Sequence, residues 1–186
     1  MKKVRYGLVC AVLLSCVALG QMTKSEQKTV AQVLDGGLKQ TESEFVSAAD
    51  AMPEDKYSFA PSNGDFKGVR TFAQQVKHVA AVNYIVGAAI LGEKPPVDVG
   101  GESGPEAVKS KADIMKFLKD SFEYAHKATA SVDEKNMITP MKSPFGNGET
   151  TRLSMATVFS WHAFDHYGQM VEYLRMNSII PPASRQ

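Results

Sequence analysis

The sequence predicts an all-α protein built as a four-helix bundle. Three observations carry that expectation. Four segments repeat apolar residues at a spacing near 3.6, no stretch shows a convincing strand pattern, and polar connections containing Gly and Pro separate the four. Antiparallel or parallel packing of four amphipathic helices is the natural way to bury four such stripes in one core. No internal repeat and no low-complexity tract interrupts the pattern.

The first twenty residues stand apart from that plan. Lys2, Lys3 and Arg5 form a positive start, an apolar run over 8–19 is broken only by Ser15, and Ala18 and Gly20 place small residues before Gln21. This is the layout of a signal peptide over 1–20, too short for a spanning helix of about 20 apolar residues. A periplasmic or secreted protein is the expectation. Leu13-Leu-Ser-Cys16 offers the alternative of a lipoprotein held at the membrane through Cys16.

Both cysteines, Cys10 and Cys16, lie in that segment, so the mature chain 21–186 would have no disulfide, thiolate ligand or cysteine nucleophile. Cleavage also removes the charges of Lys2, Lys3 and Arg5, taking the formal net charge from +1 to −2. A nearly neutral protein has no general electrostatic reason to bind nucleic acid. The remaining 166 residues suit one domain with one core; a homodimer is left open.

The first helical segment is expected over 25–51, with Val30, Val33, Leu34, Leu38, Phe45, Ala48 and Ala49 as its apolar stripe. Gly36 and Gly37 weaken its middle, where a kink is plausible, and Pro53 marks its end. The connection 52–68 is rich in turn residues and carries Tyr57 and Phe59 as apolar anchors. The second segment, 69–91, puts Gln74, Gln75, His78, Val82 and Ile85 on one face and stops at Gly92 and Pro95. The third is expected over 105–130 with Pro105 in its first turn, burying Met115, Phe117, Leu118 and Phe122. The connection 131–149 carries its own apolar residues, Met137, Ile138, Met141 and Phe145, as loops that cover a site often do. The fourth segment spans 150–176 and ends before Pro181 and Pro182.

His162 and His166 lie four positions apart on this last segment, so both imidazoles face one spot. Met155, Phe159, Met170 and Tyr173 share that face, which therefore looks inward. Two neutral imidazoles on such a face can hold a divalent transition metal. The competing reading is a pair of buried histidines with ordinary hydrogen-bond partners. His78 is the candidate third ligand, because its neighbours Gln74 and Gln75 suit a pocket better than a dry core. His126, near the end of the third segment, reads as structural or surface. Either a parallel or an antiparallel arrangement of the second and fourth segments could bring His78 to the pair.

The mature chain resembles the DinB/YfiT-like superfamily of four-helix-bundle metalloproteins. The residues that carry the resemblance are the run 53–61 (Pro-Glu-Asp-Lys-Tyr-Ser-Phe-Ala-Pro) and the run 71–78 from Thr71 to His78. They continue with Thr150-Thr-Arg152, then His162-Ala-Phe-Asp-His166-Tyr-Gly-Gln169, Tyr173-Leu-Arg175 and Ile179-Ile-Pro-Pro182. The resemblance implies a divalent metal, zinc or nickel, bound by one histidine of the second helix and two of the fourth, here His78, His162 and His166. It differs in one place: many members have His-Arg-Gly-Gln where this chain has Tyr167. The basic residue, and any anionic substrate contact made by it, is not carried over.

Three neutral histidines leave coordination positions open, so the ion could acidify water or polarise a carbonyl. Some relatives resemble thiol-dependent transferases, which suits an exported protein poorly. Asp165 and Gln169 flank the pair and could orient an imidazole, although Asp165 reads equally well as a solvated helix position. Two functions result. One is a metal-dependent hydrolase or transferase acting on an unidentified small molecule; the other is a non-enzymatic metal- or ligand-binding bundle. An open position facing a reachable pocket favours the first, and a site plugged by Phe145 or Met141 favours the second.

Overall fold

A computed structural model describes residues 27–185, and the signal-peptide and lipobox readings fall outside them. The described chain is built from four helices: α1 (Val30–Ala51), α2 (Phe72–Leu91), α3 (Lys111–Ala130) and α4 (Arg152–Met176). Each begins where a side chain satisfies a free backbone amide. Thr29 and Gln32 form a capping box on α1, and Thr71 and Gln74 form another on α2; Ser110 and Thr151 cap α3 and α4. Among the described residues no helix is long and apolar enough to cross a membrane.

Two helix starts, one helix face and one connection differ from the sequence expectation. α3 starts at Lys111 rather than near Pro105, because Ser110 is its cap and the preceding residues are tied to α2. Gly104 sits there at φ +78°, so close that a Cβ would lie 2.8 Å from Lys77 Cβ. α1 starts at Val30 and runs unbroken through Gly36 and Gly37. Val33 is 61 % exposed: it falls about 100° round the helix from the buried line through Leu38, Thr41 and Phe45, at 3.6 residues per turn.

The last difference is a small antiparallel hairpin, β1 (Pro140–Lys142) with β2 (Glu149–Thr151), in register Met141 to Thr150. Each strand has three residues and none is fully buried, so no alternation could be read from the sequence. The turn closes with the Ser143 amide donating to the Gly148 carbonyl at 2.9 Å.

α1 packs on α3 and α4, and α2 packs on the same two helices, so α1 and α2 lie diagonally across the bundle. Contacts fix the directions. The Arg152 guanidinium donates to the Ile90 carbonyl at 3.3 Å, and the Tyr173 hydroxyl donates to the Arg70 carbonyl at 3.0 Å, so α4 runs antiparallel to α2. Asn83 donates to Ser121, and Tyr124 to Glu93, so α3 runs parallel to α2. Joining two parallel neighbours requires a chain that returns the length of α2, roughly 30 Å for 20 residues. Residues 92–110 make that return, and Glu102 passes beside His78 on the way.

The α1–α2 connection sets the other end. Tyr57 is buried, its ring 5.3 Å from that of Phe72, and its hydroxyl donates to the Ala49 carbonyl at 2.8 Å. The carbonyls of Tyr57 and Phe59 accept from the amides of Ala73 and Phe72, both at 2.8 Å. These bonds use free N–H groups of the first turn of α2. Phe59 stacks edge-on against Tyr173 at 5.6 Å. The start of α2 is thus fastened to the end of α4, which sets how deep His78 lies beside the α4 histidines.

Candidate metal centre

His78 sits in the second turn of α2, and His162 and His166 sit one turn apart on α4. Their candidate ligand nitrogens lie within 4.8 Å of one another. The ring centroids are 4.6 to 4.9 Å apart, and His162 Nε2 is 3.0 Å from His78 Nε2. Among the described residues this is the one group of histidine, cysteine or carboxylate side chains close enough to share an ion.

Hydrogen bonds fix the free nitrogen of two of the rings. His78 Nδ1 faces the Glu102 carbonyl at 2.5 Å. A carbonyl only accepts, so Nδ1 carries the proton and Nε2 keeps a lone pair. His166 is set by a longer chain. The Asp165 carboxylate accepts from Gln169 Nε2 at 3.3 Å, which turns Gln169 Oε1 toward Gln75. Gln75 Nε2 donates to that oxygen at 2.8 Å, which turns Gln75 Oε1 toward His166 Nδ1 at 2.6 Å. His166 Nδ1 must therefore donate, and its Nε2 is the free donor atom. Asp165 and Gln169 do orient an imidazole, but through Gln75.

Burial keeps the rings uncharged. It pushes His162 down to about 3, helped by His166 and His78, and it pushes His166 down to about 4, helped by His78 and Arg70. Burial lowers His78 too, against the opposing pull of the Glu102 carbonyl. Neutral imidazoles are the form that binds a metal. Two nitrogens held by one tetrahedral zinc at about 2.0–2.1 Å stand about 3.3 Å apart, close to the 3.0 Å between His78 and His162. The three side chains can hold one divalent ion.

Two cavities flank the triad. One, of about 340 Å³, is walled by His78, His162, Val82, Met155, Val158, Trp161 and Phe145. The other, of about 550 Å³, lies beyond the Gln75–Gln169 pair and is lined by polar groups that include Arg70 and Lys77. Phe145 stands at a wall of the first cavity, and Met141 packs against the core.

His126 lies at the opposite seam, between α1 and α3. Its Nδ1 meets Asp35 at 2.5 Å and its Nε2 meets Glu42 at 3.0 Å. Both ring nitrogens are thus occupied by carboxylates. Sequence reasoning missed the bond from Gln75 to His166, the Glu102 carbonyl and the apolar wall around Trp161. Only Gln75 left a signal, as a polar residue one turn before His78 on an inward face.

A family model described as DinB superfamily matches residues 38–170, a span that contains all three histidines. No curated protein matches the chain.

Replacing Gln75 with Leu keeps volume but removes the acceptor that holds His166. Zinc affinity, measured by competition with a chelating dye, should fall about tenfold to a hundredfold; unchanged affinity would remove the amide chain from the site. Acidification should also destabilise the metal-free protein. Unfolded histidines take up protons below about 6.5 while the folded rings stay neutral lower, so the unfolded state binds more protons in that window. The denaturant midpoint should drop as pH falls from about 6.5 toward 4, with a shallower slope in His162→Gln; equal slopes would contradict the burial of that ring.

Proposed function

The chain belongs to the DinB superfamily, and from that footing we propose that it is a metal-dependent hydrolase or transferase of small molecules. Its ion, zinc or nickel, is held by His78, His162 and His166. The observation that carries the reading is the cavity of about 340 Å³ that reaches two of the three histidines. A purely structural metal site is closed by its ligands, whereas a catalytic one keeps a position within reach of substrate.

When bound, a divalent ion at this place supplies Lewis acidity to a substrate oxygen or to water. The chain's own residues do the rest. Glu102 and Gln75 hold two imidazoles in the tautomer that offers Nε2. Asp165 adds negative charge at the far end of the amide chain, making the Gln75 oxygen a better acceptor and His166 a more basic donor. Val82, Met155 and Val158 give the cavity beside the triad an apolar wall, which lowers the local dielectric. His78 and His162 both line the cavity, and His162 is the more exposed of the three rings.

Loading with zinc or nickel followed by elemental analysis should give one ion per chain. His78→Ala, His162→Ala and His166→Ala should each lose it, because two imidazoles offer little chelation against the hydration of the ion. His126→Ala should retain it. The loaded wild type should turn over at least one member of an ester, amide and thiol-transfer panel, and chelation should abolish that turnover. Full metal retention in His78→Ala would refute the three-histidine site; a loaded protein inert to the whole panel would favour the non-enzymatic bundle.

A further inference from the structure

Two antiparallel helices build the same sequence of groups from opposite directions. On α2, Val82 lies one turn beyond His78; on α4, Val158 lies one turn before His162, and Met155 a further turn back. Because α2 and α4 run in opposite senses, both apolar runs extend to the same side of the triad. They meet there as the walls of the cavity, with Phe145 of the β1–β2 turn and Trp161 completing it.

We infer that this cavity is the specificity pocket of the site, and that the substrate is a small molecule, not anionic, with a hydrocarbon or aryl arm beside the polar group presented to the histidines. The inference rests on the reading of the triad as a metal centre. The wall offers an anionic arm nothing. Its polar members are His78, His162 and Glu102; the Glu102 carbonyl is already taken by His78, and its carboxylate repels anions. The cationic side chains of this region, Arg70 and Lys77, line the other cavity. A negative charge placed here would lose its hydration without a counter-charge. The volume, about 340 Å³, is at the small end of the range of about 300–1,000 Å³ found for ligand sites. Trp161 is 59 % exposed and Phe145 is 37 % exposed, so both stand at a mouth that reaches solvent.

An arm in this pocket has a direction. It runs along Met155 and Val158 toward His162, which brings the atom at its head to the ring nitrogens. Each further methylene buried should tighten binding about fourfold.

The test uses zinc-loaded protein and two chelating probes that differ only in the arm, acetohydroxamate and butanohydroxamate. Zinc content is measured on the same samples. Calorimetry should show butanohydroxamate binding on the order of tenfold tighter. Trp161 is the only tryptophan of the chain, so its emission should shift with the longer probe and little with the shorter. Val158→Phe fills the cavity and should erase the difference while acetohydroxamate still binds. Phe145→Ala, in an exposed turn outside the bundle, should keep the fold and reduce the difference to less than threefold. Equal binding of both probes to protein that holds its zinc would overturn the pocket and leave the triad standing. Protein that holds no zinc would overturn both.

Discussion

Everything in the site depends on two ring nitrogens being brought face to face. His78 Nε2 and His162 Nε2 stand 3.0 Å apart, and His78 Nε2 carries no proton because Nδ1 donates to Glu102. In the metal-free protein the contact is a hydrogen bond from the neutral His162 ring, whose Nε2–H donates to the His78 lone pair, and a divalent ion takes the place of that one proton. Burial disfavours any further proton on the rings and lowers all three histidines. The rings are therefore held in the form, and nearly at the spacing, that a divalent ion requires. What prevents them from moving apart is the antiparallel pairing of α2 and α4, fastened at one end by Arg152 and Ile90 and at the other by Tyr173 and Arg70.

The amide chain behind His166 belongs to the same constraint. Gln75 is 1 % exposed, and a buried primary amide is costly unless its groups are paired. Here its oxygen accepts from His166 and its nitrogen donates to Gln169. The chain ends on Asp165, an acceptor in its ionised form, so every amide along it has one possible orientation. A polar core position that would otherwise weaken the bundle instead selects the tautomer of a ring. By contrast, His126 meets Asp35 and Glu42 with both nitrogens and joins α1 to α3; the same residue type, fully partnered, is a fastening.

Much of this was legible in the sequence. The spacing of His162 and His166 and the apolar residues around them define an inward helix face regardless of what packs there. Tyr57 and Phe59 read as anchors because a turn-rich segment has little other reason to hold two aromatics. Local signals of that kind survive in one dimension. Helix order did not, because the diagonal placement of α1 and α2 is decided by where residues 92–110 run, and a polar return strand has no period. Pro105 suggested a helix start that Ser110 supplies instead, since the intervening residues are held against α2 around Gly104. The Gln75–His166 bond spans 91 positions, and nothing local announces it. The hairpin and the pocket wall at Phe145 were hidden for the same reason: three-residue strands carry no pattern.

X-ray absorption at the metal edge of the zinc-loaded protein tests the central claim most directly. The account predicts a shell containing three imidazole nitrogens at about 2.0–2.1 Å, with the multiple-scattering signature of histidine rings. His166→Ala, which loses the ion from the site, should show no such shell. A shell of oxygen ligands alone, or one that is the same in wild type and His166→Ala, would contradict it.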